Sequence, residues 1–258
     1  MKFRSLLFVP WWVPMTLSAQ DRAVPRELMI AAVGEIPVPK MKVTEVMGRR
    51  GYEADPDSTD QWFPKAWTVA GKKIALALNG EPAAMKLTAG LMEVSVAPEG
   101  ANAKLQALPA AADGPTLLLI FNREPDKAWN DGFGVRFLSC SKLDSTVPTA
   151  TVFNLSGATL SLTQRDRSTL QLAPGKSALA PVFVQPQSGI KLLPLAANAA
   201  GKSYSLDVTP LEVRSPWCPV VIVYPSTGPS SKTRPLKVSV IQPSAAVRVD
   251  PPASAAGN

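Results

Sequence analysis

The sequence predicts an all-β protein of two tandem sandwich-like modules, immunoglobulin-like in general plan. One large sandwich combining both halves is the alternative. Three observations lead there. One β-rich pattern occurs twice, at 70–78 with 85–90 and again at 156–162 with 170–175. The chain carries 26 Pro and 16 Gly with few aromatics, which suits many short strands and turns. No stretch of useful length has helical period; the Ala-rich segments 107–112 and 196–200 are cut short by Pro109 and Gly201.

The elements follow in order. Residues 1–19 read as a secretory signal: Lys2 and Arg4 precede a mostly apolar stretch from Leu6 to Leu17, and Ala19 offers a small residue for cleavage before Gln20. The apolar run is too short to span a bilayer and is broken by Pro10 and Pro14. No later stretch is apolar enough to span, so no transmembrane segment is expected in the mature chain. The first module is expected at 27–125. Residues 28–33 and 41–46 are short strands separated by Pro37 and Pro39, and 48–65 reads as irregular. Ile74, Leu76 and Leu78 alternate with Lys73, Ala75 and Ala77, the period of a half-buried strand. Asn79-Gly80 is a hairpin signal, since both turn positions favour positive φ. Met85 and Leu87 resume the apolar face, then Met92, Val94 and Val96 follow, with a weaker strand at Leu105 and Leu108. Residues 116–121 form a nearly continuous apolar run, as expected of a central strand covered on both faces.

Residues 122–134 read as a linker, and the second module is expected at 133–243, opening with Val135, Phe137 and Leu138. Leu160 and Leu162 alternate like Ile74 and Leu76, and Leu172 before Pro174-Gly175 parallels Leu87 before Gly90. Residues 178–184 parallel 92–96. Tyr204, Leu206 and Val208 form an alternating strand that the first half matches poorly. Residues 220–224 stand in the place of 117–121, and Leu236, Val238 and Val240 give the last strand. The segment 244–258, rich in Pro, Ala and Ser, is expected to be disordered.

At 153–157, Phe-Asn-Leu-Ser-Gly, and 172–175, Leu-Ala-Pro-Gly, the chain resembles a loose group of uncharacterised exported bacterial proteins. These place an N-L-S-G strand end before a strand and an L-x-P-G turn after it. The resemblance covers about 135–240, with a fainter copy at 66–121, and implies β-sandwich-like modules outside the cytoplasm. It supplies no catalytic residues.

Composition narrows the chemistry. The chain has no His, which excludes imidazole general-base catalysis and Ser-His-Asp hydrolysis. Net charge is +7, and the basic residues are scattered singly, without the patch that nucleic-acid binding requires. Asp55, Asp57 and Asp60 lie in the densest acidic cluster and offer hard oxygen ligands for calcium. The EF-hand spacing fails: counted from Asp55, position six is Asp60 rather than Gly, and Ala66 stands where the bidentate Glu belongs. A solvated loop of Asx-turns is the competing reading. Trp62, Trp67 and Trp129 are candidate sugar-stacking rings, against the alternative that they close a module core. Cys140 and Cys218 are a candidate disulfide in an oxidising compartment, against the alternative of two buried thiols. No cofactor is expected. The reading is an exported, non-catalytic structural or interaction protein of the periplasm, cell surface or extracellular space, with a protein or envelope polymer as partner. The alternative is a carbohydrate- or envelope-polymer-binding module.

Overall fold

A computed structural model describes residues 26–36, 41–54, 63–64, 66–88, 90–110, 114–123, 129–143, 146–199, 201–213, 216–227, 231 and 233–243. The chain is all-β, with four-stranded sheets that pack as sandwiches. The first unit has an inner sheet of β1 (Glu27–Val33), β6 (Ala83–Lys86), β9 (Thr116–Asn122) and β10 (Phe133–Ser139) in the order β10-β9-β1-β6. Its outer sheet is β4 (Ala66–Val69), β5 (Lys72–Ala75), β7 (Glu93–Pro98) and β8 (Lys104–Ala107), in the order β5-β4-β7-β8. The second unit repeats this plan. Its inner sheet is β14-β11-β19-β20, from β11 (Thr149–Asn154), β14 (Ser177–Pro181), β19 (Val220–Pro225) and β20 (Leu236–Ile241). Its outer sheet is β13-β12-β17-β18, from β12 (Thr159–Thr163), β13 (Thr169–Leu172), β17 (Leu195–Ala199) and β18 (Lys202–Ser205). Each inner sheet has one parallel pair at its centre, β1 with β9 and β11 with β19.

Two small hairpins interrupt this shared plan. One is β2 (Met41–Val46) with β3 (Arg49–Ala54), in the first unit; the other is β15 (Phe183–Val184) with β16 (Lys191–Leu192), in the second. The first lies partly in the segment expected to be irregular. Met47 and Gly48 supply its turn, with φ of 53° and 72°.

Three apolar layers hold the fold. Leu28, Ile30, Val94, Val96, Leu118 and Ile120 fill the first sandwich. Val152, Leu160, Leu162, Leu195, Val221 and Val223 fill the second. Between the inner sheets lies a third layer, in which Met29, Ala31, Leu117 and Leu119 meet Phe153, Val220, Ile222 and Ile241. The continuous apolar runs of β1, β9 and β19 follow from this. Alternate side chains enter the unit's own core, and the others enter the layer shared with the opposite unit.

Several expectations change in detail. The strand 133–139, expected to open the second module, pairs antiparallel with β9 in the first unit's sheet. The crossing between units therefore follows Ser139. There Cys218 N–H donates to Ser141 C=O at 2.9 Å and Leu143 N–H to Pro216 C=O at 2.8 Å. The register between halves also differs. Asn79 N–H donates to Ala32 C=O at 2.8 Å, as Gly175 N–H donates to Asn154 C=O at 2.7 Å. This matches Leu76 to Leu172 and Asn79 to Gly175, whereas the sequence reading set Leu87 and Gly90 there. The strand in the place of β12 is β4, whose Trp67 and Val69 are buried as Leu160 and Leu162 are, rather than the segment of Ile74 and Leu76. The alternation itself holds: Leu76 is buried, Ile74 and Leu78 partly so, and Lys73, Ala75 and Ala77 are exposed. Asn79-Gly80 is not a hairpin loop. Gly80 N–H donates to Ala77 C=O, and this turn carries the chain from the outer sheet back to the inner one.

Candidate functional site

The aromatic residues come together, but inside the first unit. Trp67 and Trp129 are fully buried. Phe63 packs edge-on to Trp129 with ring centroids 4.9 Å apart, and Trp67 packs edge-on to Phe133 at 5.3 Å. Trp67 Nε1 donates to Pro64 C=O at 3.0 Å and Trp129 Nε1 to Glu35 C=O at 3.2 Å. Both rings therefore close a core with their polar handles satisfied, and neither offers a face for sugar stacking. Trp62, Asp55, Asp57 and Asp60 lie outside the described residues, as do the signal segment and 244–258. Among the described residues no group of three His, Cys, Asp or Glu could hold a metal ion.

Cys140 and Cys218 are both free, buried thiols beside the crossing between units. Cys218 Sγ shares a hydrogen bond with Thr149 Oγ1 at 3.2 Å. Burial, with a smaller contribution from the neighbouring Cys218, pushes the Cys140 thiol up to about 12. It is inert as a nucleophile at neutral pH.

The ends of the central strands converge on a small cavity of about 130 Å³ between the units. Gly34 and Glu35 follow β1, Asn122 and Arg123 end β9, Leu155 follows β11, and Tyr224 and Thr227 lie at the end of β19. The Glu35 carboxylate is its hub. Oε2 accepts from the backbone N–H of Thr227 and from Thr227 Oγ1 at 2.6 Å. Oε1 faces the Lys237 ammonium in an ion pair. Its backbone C=O takes the Trp129 indole, so one residue joins the first unit's core to two elements of the second. Burial raises the Tyr224 phenol above its ordinary range. With its carboxylate held by these partners, Glu35 clamps the end of β1 to the end of β19 and to β20. Sequence reasoning passed over it; its signal is an acid that follows Gly34 just beyond the apolar run 28–33.

A second buried polar cluster lies within the second unit. Asn154 is fully buried. Its Nδ2 donates to Ala158 C=O at 2.8 Å and Leu172 C=O at 3.0 Å. Its Oδ1 accepts from Ser156 N–H at 3.0 Å and Ser156 Oγ at 2.7 Å. The two motifs quoted for the resemblance, 153–157 and 172–175, thus meet in space and form one corner between sheets. Asp166 is held below the usual carboxylate range by Ser168, whose Oγ donates at 2.6 Å and whose N–H donates at 2.9 Å. Its role is to shape the β12–β13 turn.

The surface offers a different kind of feature. The β2–β3 hairpin pairs with no other strand among the described residues. Met41, Val43 and Tyr52 share one face by register, and all three are exposed, with Met47 at the turn 98 % exposed. A two-stranded hairpin is marginal in water unless its apolar face is covered. Such side chains in a row are a candidate contact surface. No protein-family model and no curated protein matches the sequence.

Proposed function

We propose that this is an exported, non-catalytic structural or interaction protein of the cell envelope or extracellular space, with a protein or envelope polymer as its partner. The observation that carries the reading is the exposed apolar face of the β2–β3 hairpin, mounted on two sandwiches that share a middle core. Such a scaffold holds a contact surface in place. The buried groups support the same view, because Glu35, Asn154 and the two thiols all serve packing or corners. The carbohydrate-stacking alternative loses two of its three residues, since Trp67 and Trp129 lie in a core.

A photo-crosslinking residue at Tyr52, compared with the same probe at the exposed hairpin residue Ser168, tests the reading in cells of the source. The expected result is one discrete adduct of the processed protein in the envelope or extracellular fraction from position 52 and none from 168. Unprocessed protein in the cytosolic fraction, or equal labelling at both positions, would overturn it.

A further inference from the structure

The sheet edges of the two units are finished differently. In the first unit the inner-sheet edge β10 is crossed from the outer-sheet edge β8: Lys104 Nζ donates to Phe133 C=O and lies 4.0 Å over the Phe133 ring. Lysines also stand on β5, at Lys72 and Lys73, and on β18, at Lys202, while β14 ends in Pro181. Charges and prolines at such positions keep an edge from pairing with another chain. β20 lacks this protection. It runs six residues without Pro and pairs only with β19 among the described residues. Its one charge, Lys237, faces Glu35. Beside it, β18 stands back across a groove of about 780 Å³, with Leu206, Val208, Leu236, Val238 and Val240 on its walls. Val240 is 38 % exposed. Ser226 N–H donates to Pro235 C=O, which sets the phase of the β19–β20 ladder. The N–H and C=O groups of Leu236, Val238 and Val240 therefore point to the open edge.

We infer that β20 is the contact between two copies of this chain, paired antiparallel with the partner's β20 about a two-fold axis through Val238. A two-fold contact sets a patch against itself, so the strand must complement its own reverse. The sequence of β20 meets that condition. An axis through Val238 sets Val238 against the partner's Val238, and Leu236 against the partner's Val240. Each outward-pointing residue then meets another and exchanges hydrogen bonds with it. Directly opposed residues share a face, so their side chains form one apolar row along the joined grooves. Lys237 meets the partner's Ser239, and each lysine stays with its own Glu35. Moving the axis to Lys237 would oppose two lysines, and moving it to Ser239 would set Leu236 against the partner's Gln242. The charge and the apolar pattern thus select the axis at Val238. The setback of β18 leaves space beside β20 for the partner's outer sheet. The first unit lacks that space, because Lys104 closes its flank.

Sedimentation equilibrium of the chain from Gln20 to Asn258 tests this, alone and with the variants V240K, V238P and V240I. A single strand pair with a short apolar row is a small interface, so the expected state is mostly dimer at about 100 μM and mostly monomer at about 1 μM. V240K puts a charge into the apolar row, and V238P removes an outward N–H that the β19 ladder does not use. Both should weaken the dimer about tenfold or more, and V240I should keep it. Unchanged hydrogen-exchange protection of Leu160 and Leu162 in β12 shows that each form is folded. The axis is tested by single cysteines in a chain whose native cysteines are Ser, oxidised with diamide. V238C lies opposite its own copy and should form a disulfide-linked dimer, whereas S239C stands two residues out of step with its copy and should not. A monomer at every concentration, dimers of V240K and V238P as tight as the parent, or cross-linking of S239C in preference to V238C would overturn the inference.

Discussion

The two units follow one strand order but fasten the same corner differently. In the second, the turn between β13 and β14 is tied to the end of β11 by Asn154, whose side chain is buried with every polar atom partnered. In the first, the equivalent position is Ala32, and the tie comes from the other side. Asn79, in the turn itself, donates from Nδ2 to Gly34 C=O at 2.8 Å and accepts Gly34 N–H at 3.2 Å. Trp129 then packs over Gly34 so closely that a Cβ there would lie 3.1 Å from the ring and push it by a few tenths of an ångström. A shared topology thus needs the corner to be held but does not dictate by which residue. The buried version is the stronger constraint, because a buried polar group without its partner costs more than an exposed one.

The largest expected effect breaks that contrast directly. Asn154→Ala removes two donors and an acceptor from a buried corner and should destabilise the protein by about 3 kcal/mol. Asn79→Ala removes two partly exposed bonds and should cost about 1–2 kcal/mol. Urea unfolding of both variants checks the ranking; equal losses would mean the buried network is no more than a turn. The glycines of the two corners sharpen the comparison further. Gly34→Ala meets Trp129 at a φ of 152° and should cost about 2 kcal/mol through overpacking and strain. Gly175→Ala, at φ 72° with nothing within 4 Å, should cost only the left-handed penalty of about 1 kcal/mol.

Much of this fold was legible in the sequence because alternation and apolar runs report burial directly. Leu160 and Leu162 announce one covered face, and 117–120 announces two. The second cover was not legible: a run covered on both faces does not say that one cover is the other unit. The offset between halves failed for a related reason. Leu87 and Gly90 resemble Leu172 and Gly175 locally, but hairpins of different length shift the chain, and only the hydrogen bonds to Ala32 and Asn154 reveal the true match. The strand at 133–139 was assigned to the wrong unit because a loop rich in Asn, Asp and Gly reads as a boundary even when it joins two strands of one sheet. The tryptophans were legible as large rings beside turns. Exposure is a tertiary property, and Trp67 and Trp129 turned inward.

Smaller effects concern the joint between the units. Glu35→Gln keeps hydrogen-bonding capacity but removes the charge facing Lys237, whose side chain is 43 % exposed. Solvent screening keeps the expected loss to about 1 kcal/mol, and it should shrink at high salt. The Cys140 thiol has its pKa raised from 9.0 to about 12 in the folded state, so folding favours the neutral form. Stability from this group is complete below about pH 9 and falls by about 1 kcal/mol per pH unit as pH rises from there toward 12. Cys140→Ser should flatten that alkaline decline in thermal-melt midpoints.

The account rests on the middle layer, in which Leu117 and Leu119 of one unit meet Val220 and Ile222 of the other. Denaturant unfolding followed at once by a probe in each unit tests it most directly. Trp67 fluorescence, isolated by replacing the other tryptophans with Phe, reports the first unit. A fluorophore on a cysteine placed at exposed Ser168, in a chain whose native cysteines are Ser, reports the second. The predicted result is coincident transitions that shift together when Ile222→Ala opens the middle layer. Two separate transitions, with Ile222→Ala moving only the second, would show two independent sandwiches and contradict the account.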